Sequence, residues 1–285
     1  MTPDCNHTMQ LIETVSEFRV AERSAARPLG LVPTMGYLHE GHMSLARRAR
    51  ADNATVSASI FVNPTQFAPN EDLAAYPRDM DGDLAKLEEA GVDLVFAPAP
   101  QEVYPAGFDT RVDVGEIAAK LEGASRPDHF RGVATVVCKL LTIVRPDKVY
   151  FGQKDAQQCL VIKRLNADLN LGAEVVVIPT IRDSDGLALS SRNAYLRDGD
   201  RESALTLSRS LNLAREMHQS EILNAKKISA QMRNLIESEP RTSVDYISIS
   251  DAETLDELDI IDRPALVSLA VRIGDVRLID NTLLP

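Results

Sequence analysis

The chain has 285 residues, of which 44% are hydrophobic and 26% are charged, and its formal net charge is −11. These values are typical of a globular protein with a sizeable core, and the length fits one large domain or two moderate ones. The acidic balance argues against a nucleic-acid partner, because phosphate backbones bind clustered Lys and Arg, but it leaves room for a local basic pocket. No apolar run reaches the length of a membrane span and no signal-peptide pattern opens the chain, so we expect a cytoplasmic protein without a membrane partner.

The first half of the chain alternates strand-like apolar runs with amphipathic segments. We predict helices at 9–26, 41–51, 79–90, 133–144 and 156–170, and strands at 29–32, 55–62, 92–96, 148–151 and 174–178. The first helix is predicted because Leu11, Ile12, Val15 and Phe18 fall on one side at helical spacing. This alternation predicts a Rossmann-like α/β fold, a doubly wound parallel sheet whose ligands bind beyond the carboxyl ends of the strands.

The second half of the chain has a different pattern. Residues 179–185 are predicted to form a hinge, and no further strand–helix–strand alternation follows them. We predict helices at 200–219 and 225–238 and strands at 243–250, 265–273 and 276–280. The sequence therefore predicts a nucleotide-binding domain over 1–180 and a smaller α+β domain over 181–285.

The strongest local motif follows the predicted strand at 29–32. A proline and a glycine break that strand, and a helix follows that opens with His39, Gly41 and His42. Two histidines three residues apart share a face of a helix, and a helix N-terminus offers unpaired N–H groups to an anion. The pattern resembles the His-x-Gly-His signature of the nucleotidylyl-transferase and class I aminoacyl-tRNA synthetase superfamily, in which the histidines contact ATP phosphates.

Other interpretations of the two histidines stay open at this point. Either ring could be a packed or surface residue, since short motifs match by chance. A zinc site is disfavoured, because the spacing is not His-Glu-x-x-His and no cysteine pair lies nearby. Cys5, Cys138 and Cys159 are an odd number without Cys-x-x-Cys spacing, which fits a reducing compartment better than a disulfide framework.

Three further segments carry groups suited to an anionic substrate. Gly152-Gln153-Lys154-Asp155 follows a predicted strand and opens a helix, where Lys154 supplies a point charge and Asp155 can cap the helix. Ser190-Ser191-Arg192 combines two hydroxyls with a guanidinium that binds phosphate as a fork. Gln66, Gln157 and Gln158 offer amides that can read hydroxyls and carboxylates.

Several longer segments make the resemblance specific. The chain is similar to the pantothenate synthetase family from about residue 9 to residue 281, in segments 32–43, 59–67, 76–78, 92–98, 121–132 and 185–193. Particularly telling are Leu-Glu-Gly-Ala-Ser-Arg-Pro-Asp-His-Phe-Arg-Gly at 121–132 and Asp-Gly-Leu-Ala-Leu-Ser-Ser-Arg-Asn at 185–193. Gln153 is a small departure, because Glu is expected there in many relatives.

The resemblance implies a ligase that joins (R)-pantoate to β-alanine with ATP and Mg²⁺ and releases AMP and diphosphate. Pantoate would attack the α-phosphorus to give a bound pantoyl adenylate, and β-alanine would then displace AMP. It also implies that residues 1–180 bind ATP and pantoate, that residues 181–285 act as a lid, and that the protein is a homodimer.

The resemblance assigns individual residues to roles. The catalytic residues that it implies are His39, His42, Lys154 and Arg192, with His42 as the family's proposed proton donor. Those implied for ATP binding are Met35, Gly36, Tyr37, Leu38, His39, Glu40, Gly41, His42, Gly152, Gln153, Lys154, Asp155, Ile181, Leu189, Ser190, Ser191 and Arg192. Those implied for pantoate and β-alanine are Pro33, Thr34, Gln66, His129 and Gln158. The metal ligands stay unassigned, with Asp83 and Asp155 as candidates.

Two other functions fit parts of the pattern. A nucleotidylyltransferase acting on a phosphorylated acceptor shares the histidine motif but would stop at a stable nucleotidyl product. An inactive nucleotide-binding module would bind ATP without releasing AMP. A tRNA synthetase is disfavoured by the short chain, the acidic charge and the lack of an anticodon-binding extension.

Overall fold

The computed structural model describes residues 9–67, 73–74, 76–197 and 199–285. The chain divides into two compact units: Met1–Gly152 with Gln157–Ile178, and Gln153–Ala156 with Pro179–Pro285. This division differs in two respects from a single cut after residue 180, and the smaller difference is that the second unit already begins at Pro179. The four residues from Gln153 to Ala156 belong to the second unit, although the chain before and after them belongs to the first.

The first unit is built on a parallel sheet. Within the described residues its strands are β1 (Gln10–Ile12), β2 (Leu29–Thr34), β3 (Thr55–Ile60), β4 (Leu94–Phe96), β5 (Lys148–Gly152) and β6 (Glu174–Ile178). Their spatial order is β1-β4-β3-β2-β5-β6, and every pairing is parallel. The order changes direction between β2 and β5, which makes their carboxyl ends the switch point where open α/β sheets bind ligands. The histidine motif follows β2, and the Lys154 segment follows β5.

Helices cover both faces of this sheet. They are α1 (Val15–Ser24), α2 (Glu40–Asp52), α3 (Met80–Glu89), α4 (Pro100–Val103), α5 (Glu116–Ala119), α6 (Glu122–Ser125), α7 (His129–Val144) and α8 (Ala156–Asp168). Leu29 and Leu31 of β2 join a buried cluster with residues of α1, α7 and α8. Val32 of β2 joins another cluster with residues of α2 and α3. Alternating side chains of one strand thus pack on opposite layers, and the predicted doubly wound fold is confirmed.

The prediction of a helix over 9–26 is wrong in its first part. Gln10–Ile12 is a strand, whose residues Gln10 and Ile12 pair in parallel with Leu94 and Phe96 of β4. The helix begins only at Val15, because Thr14 is its N-cap and its hydroxyl accepts the Glu17 N–H at 3.2 Å. Spacing alone did not separate a short strand plus a capped helix from one longer helix.

The second unit contains a small antiparallel sheet. In the described part of this unit the strands β7 (Thr242–Asp251), β8 (Ala265–Ile273) and β9 (Val276–Leu284) lie in that order. Two amphipathic helices, α9 (Asp200–Gln219) and α10 (Ala225–Glu237), bury their apolar sides in a core shared with the sheet. The predicted α+β character is confirmed, and β9 runs four residues past the predicted end at Asp280.

The cysteines and the lengths of the helices bear on two further expectations, on disulfides and on membrane spans. Cys138 and Cys159 are not joined in a disulfide, and burial raises the pKa of the Cys138 thiol. Cys5 lies outside the described residues. Among the helices that the structure describes, none combines the length and apolar character needed to cross a membrane.

The strand at Gln10–Ile12 generates a stability prediction. Leu11 is 45% exposed whereas Ile12 is 2% exposed, so the two side chains point to opposite faces of β1. We expect Ile12→Ala to lower the free energy of unfolding by about 2–4 kcal/mol through lost burial and a cavity. The matched change Leu11→Ala should cost less than about 0.5 kcal/mol. Urea denaturation measures both, and equal losses would favour the helical interpretation.

Candidate active site

A strained turn connects β2 to α2. Pro33 and Thr34 are the last residues of β2, and Gly36 and Tyr37 follow with φ of 82° and 54°, both in the left-handed region. The Thr34 hydroxyl donates to the Ser59 carbonyl at 2.7 Å and accepts the Gly36 N–H at 3.2 Å. A non-glycine residue such as Tyr37 adopts this conformation only where neighbouring groups hold it.

Two side chains of α3 hold this turn. Asp83 is 1% exposed, and its Oδ2 and Oδ1 accept the N–H groups of Tyr37 and Leu38, each at 2.7 Å. The Lys86 ammonium, one helical turn further on, donates to the Leu38 carbonyl oxygen at 2.8 Å. The sequence suggested Asp83 only as a candidate metal ligand, and the structure shows instead a buried carboxylate that binds two backbone N–H groups.

The two histidines form a reciprocal cap at the start of α2. His39 is the N-cap with an extended backbone and His42 is the third residue of the helix, so the two rings lie on the same side of the helix start. His39 Nδ1 accepts the Gly41 N–H at 3.1 Å, and His42 Nδ1 accepts the His39 N–H at 3.3 Å. The ring centroids are 4.1 Å apart. Because both Nδ1 atoms are acceptors, each neutral ring carries its proton on Nε2.

Gln66 is held by a buried asparagine that lies three residues before it in the chain. Asn63 precedes the 3-10 turn Pro64–Gln66, and its Nδ2 donates to Gln66 Oε1 and to the Gly132 carbonyl oxygen, each at 3.1 Å. The Tyr104 hydroxyl donates to Asn63 Oδ1 at 2.8 Å, and burial raises the pKa of Tyr104 although a Thr65 hydrogen bond opposes the shift. The amide of Gln66 is therefore oriented by the start of α7 and by Tyr104, which directly follows α4.

Other predicted residues of the first unit gather around Gln66. Gln66 Nε2 lies 2.9 Å from Met35 Sδ, and His129 Nδ1 lies 3.0 Å from the Gln66 carbonyl oxygen. A Cβ atom at Gly132 would lie 2.3 Å from the Thr65 carbonyl oxygen, so α7 approaches the turn too closely for any larger residue. The structure thus brings Met35, Gln66 and His129 together, as residues of one site should be.

The two adjacent glutamines have different roles: Gln157 is structural, and Gln158 is a candidate binding residue. Gln157 is buried, accepts the Glu122 N–H at 3.0 Å, and donates to the carbonyl oxygens of Ile117 and Lys120 at 2.9 and 2.6 Å. It thereby holds the loop around Leu121, whose φ is 43°. Gln158 is half-buried, and its amide stays a candidate for substrate binding.

Lys154 belongs to a short turn of the second unit. Gly152 ends β5, and Gln153–Asp155 form a 3-10 turn directly before α8. The Lys154 side chain is 16% exposed, and its Nζ lies 3.7 Å from Asp155 Oδ1. At that distance the carboxylate lies near the ammonium without a direct hydrogen bond, which leaves Lys154 its donors.

The predicted hinge continues into a hairpin, and the serine segment after it caps a short 3-10 helix. The Leu189 N–H donates to the Ile181 carbonyl oxygen at 3.0 Å, and Arg182 and Ala188 pair between them. Ser190 caps the 3-10 helix Ser191–Tyr195 by accepting the Arg192 N–H at 3.3 Å. The Arg192 side chain is exposed, and within the described ranges its guanidinium makes no hydrogen bond or ion pair.

Charged groups fix the tip of this hairpin. The Leu187 N–H and then Arg201, whose Nε lies 2.8 Å from Asp185 Oδ2, lower the pKa of the Asp185 carboxyl group. Arg201 also binds Asp183 Oδ2 at 2.6 Å. The tip is therefore held in a charged state at neutral pH.

The metal ligands stay unassigned. The described part of the chain contains no group of three or more His, Cys, Asp and Glu side chains arranged to hold a metal ion. Both oxygens of Asp83 bind backbone N–H groups, whereas Asp155 is about half exposed beside Lys154. Of the two candidates, Asp155 better suits a Mg²⁺ ion that arrives with phosphates, since such ions use one or two carboxylates.

Comparison with known proteins gives likenesses over nearly the full length. A family model described as pantoate-beta-alanine ligase matches residues 7–283. Pantothenate synthetases from Roseiflexus castenholzii and Pelotomaculum thermopropionicum are 56% and 52% identical over 276 and 279 residues, covering 97% of this chain and 99% of each relative. The crystal structure of pantothenate synthetase from Thermus thermophilus matches with a TM-score of 0.92 at 46% identity, covering 96% of this chain and 99% of that one. A pantoate-beta-alanine ligase from Francisella tularensis, complexed with beta-gamma ATP and beta-alanine, matches with a TM-score of 0.80 at 36% identity, covering 97% and 98%.

The contact between Asp83 and the turn generates a prediction. Asp83→Asn leaves one acceptor oxygen, so either Tyr37 or Leu38 keeps a buried N–H without its partner. We expect a loss of about 1–3 kcal/mol in the free energy of unfolding, the usual cost of such a group. Asp79 caps α3 by accepting the Gly82 N–H, and Asn caps equally well, so Asp79→Asn is the control and should change little. Equal unfolding midpoints for the two variants would contradict the role of Asp83.

Proposed function

This chain belongs to the pantoate–β-alanine ligase family, and on that premise we propose that it condenses (R)-pantoate with β-alanine in a reaction driven by ATP. The match of the family model over residues 7–283 is the observation that carries the proposal. The Francisella tularensis relative, with its beta-gamma ATP and beta-alanine, supports the choice of two of the substrates. The reaction would release AMP and diphosphate.

The proposed reaction has two balanced steps. A carboxylate oxygen of pantoate forms a bond to the α-phosphorus of ATP while the bond to the β-phosphate oxygen breaks, giving pantoyl adenylate and diphosphate. The amine of β-alanine then attacks the acyl carbon, loses a proton and expels AMP. No protein side chain needs to be acylated, because the adenylate is itself the activated intermediate.

The main task of the protein in the first step is to neutralise the negative charge of the reactants. A carboxylate must approach a triphosphate, so donors that neutralise the phosphates lower the barrier. We propose that His39 and His42, with their protonated Nε2 atoms, and Lys154 and Arg192 supply these donors. Removing one such donor costs about 10²–10³ in rate, and general acid catalysis by one group is worth a similar factor.

The pantoate site is proposed around Gln66. The amide of Gln66 is fixed by Asn63, and the sulfur of Met35 and the ring of His129 lie within 3.0 Å of Gln66 atoms. Side-chain amides offer both donors and acceptors to the hydroxyls and carboxylate of pantoate. Gln158 would supply a second amide, and Pro33 and Thr34 the end of the neighbouring strand.

Some finer expectations stay proposals. Mg²⁺ would bind mainly through the ATP phosphates, with Asp155 as the candidate protein ligand, and would supply positive charge to the leaving diphosphate. A homodimer, a cytoplasmic location and a lid role for residues 181–285 also stay predictions. The homodimer and the lid role follow from the sequence resemblance, and the cytoplasmic location follows from the composition and pattern of the sequence.

The proposed activity has a direct test. Mass spectrometry of a mixture of the protein with Mg-ATP, pantoate and β-alanine should detect pantothenate and AMP in equal amounts. Omitting either organic substrate should abolish pantothenate. A stable nucleotidylated acceptor, or ATP binding without AMP, would refute the proposal in favour of a nucleotidylyltransferase or an inactive module.

His42 and Lys154 generate the first activity prediction. We expect His42→Ala and Lys154→Ala each to lower kcat/KM for pantoate-dependent diphosphate release by about 10²–10³, because each removes a donor to the phosphates. The control is Arg48→Ala, on the exposed part of α2 and paired with Asp52, which should keep full activity. Near-normal turnover in both test variants would remove these residues from the ATP site.

Adjacent glutamines generate the second activity prediction. Gln158→Ala should raise KM for pantoate by at least about tenfold while KM for ATP changes little, because it removes an amide proposed to bind pantoate. Gln157→Ala should instead lower the free energy of unfolding by about 1–3 kcal/mol, since one buried and two part-buried backbone groups lose a partner. Steady-state kinetics and urea denaturation separate the two effects. Equal changes in both KM values for Gln158→Ala would refute its assignment.

A further inference from the structure

A single buried amide in the second unit binds both peptide groups that flank Lys154. Asn281 lies in β9 and is 5% exposed. Its Nδ2 donates to the carbonyl oxygens of Gln153 and Lys154 at 2.9 and 2.8 Å. Its Oδ1 accepts from Gln153 Nε2 at 3.1 Å. Both amide hydrogens and the amide oxygen are therefore used on one turn.

These contacts determine the direction of the Lys154 side chain. Each peptide group is planar, so its orientation is fixed when its carbonyl oxygen is held. The Gln153 carbonyl belongs to the peptide group before the Lys154 Cα atom, and the Lys154 carbonyl belongs to the one after it. Holding both planes fixes φ and ψ of Lys154, and with them the direction in which its Cβ leaves the backbone.

We propose that Asn281 is a positioning residue that aims the Lys154 ammonium at the phosphates of ATP, an inference that rests on the proposed function. Asn281 touches no substrate in this proposal and acts through Lys154. The long flexible side chain of lysine does not position its own charge, so the backbone beneath it must do so. A displacement of about 1 Å in a catalytic group can cost about 10² in rate.

Asp280, the residue before Asn281, holds the second segment that is predicted to bind ATP. Asp280 is buried, and its two oxygens accept hydrogen bonds from Arg182 Nη1 and Nη2 at 2.6 and 2.9 Å as a fork. Arg182 Nη1 also donates to the Gly186 carbonyl oxygen at 3.2 Å, within the Ile181–Leu189 hairpin. Two successive residues of β9 thus hold both segments of the second unit that are predicted to bind ATP.

A purely structural role for Asn281 is the competing explanation. A buried asparagine with all its hydrogen bonds made stabilises a fold wherever it lies. The two explanations differ in one respect: a structural residue affects activity whether or not Lys154 is present, whereas a positioning residue has little left to lose once Lys154 is removed. Coupling between the two residues is therefore the quantity to measure.

The experiment is a double-mutant cycle on the full chain. Asn281→Ala and Lys154→Ala are made singly and together, and kcat/KM for pantoate-dependent diphosphate release is measured with ATP affinity by calorimetry. We expect Asn281→Ala to lower kcat/KM by about 10²-fold alone and by less than about threefold in the Lys154→Ala background. KM for β-alanine should be unchanged. Equal losses in both backgrounds would overturn the positioning role.

Two further variants keep the test decisive. Asn281→Asp preserves the shape but turns an oxygen toward the two carbonyls, so it should reproduce the coupled loss even where Asn281→Ala does not fold. Thr282→Val removes the neighbouring buried hydroxyl, which accepts from Arg215 Nε at 2.8 Å, and should leave kcat/KM unchanged. If the unmutated chain makes no pantothenate but binds ATP, and the two substitutions are coupled in their effect on ATP affinity, the ligase activity is refuted and the positioning role stands. If the unmutated chain binds no ATP, both the ligase activity and the positioning role are overturned.

Discussion

The hydrogen bonds that buried side chains make to the backbone of nearby turns are the interaction on which each predicted ATP-binding segment depends. Asp83 accepts two N–H groups of the turn before His39, and Asn281 donates to two carbonyl oxygens of the turn that carries Lys154. Parallel strands end in short loops whose backbone groups have no partner in the sheet. A carboxylate or amide from another element supplies that partner and fixes the loop in the same step.

The energetic reason lies in the cost of an unpaired buried polar group. Each such group costs about 1–3 kcal/mol, a sizeable part of the total stability of a domain. The left-handed Tyr37 adds local strain of about 1–3 kcal/mol, which the two short bonds from Asp83 offset. The turn can therefore adopt a conformation that its own sequence would not favour, and α2 starts with His39 as its cap.

Regular elements could be predicted from the sequence because their signals are local. The apolar runs of β2, β3 and β6 and the amphipathic pattern of α9 locate those elements closely, and the histidine motif marks the turn after β2. The strand Gln10–Ile12 was missed because its apolar residues also fit the period of the following helix. The partners of the site turns could not be found in this way, since Asp83 follows Tyr37 by 46 residues and Asn281 follows Lys154 by 127. Nothing local distinguishes Asp83 from a solvated acid.

Holding a turn by its backbone also preserves the charge of the side chain that the turn carries. An ion pair with a buried acid would position Lys154 firmly, but it would neutralise the ammonium and occupy its donors. The side chain of Asn281 is neutral and binds only the turn, so none of the hydrogen-bond donors of the ammonium is used for positioning. Arg192 shows the same separation, because Ser190 and Asn193 fix the backbone around it while its guanidinium stays exposed. The fold can thus place positive charge accurately without using the charge to do so.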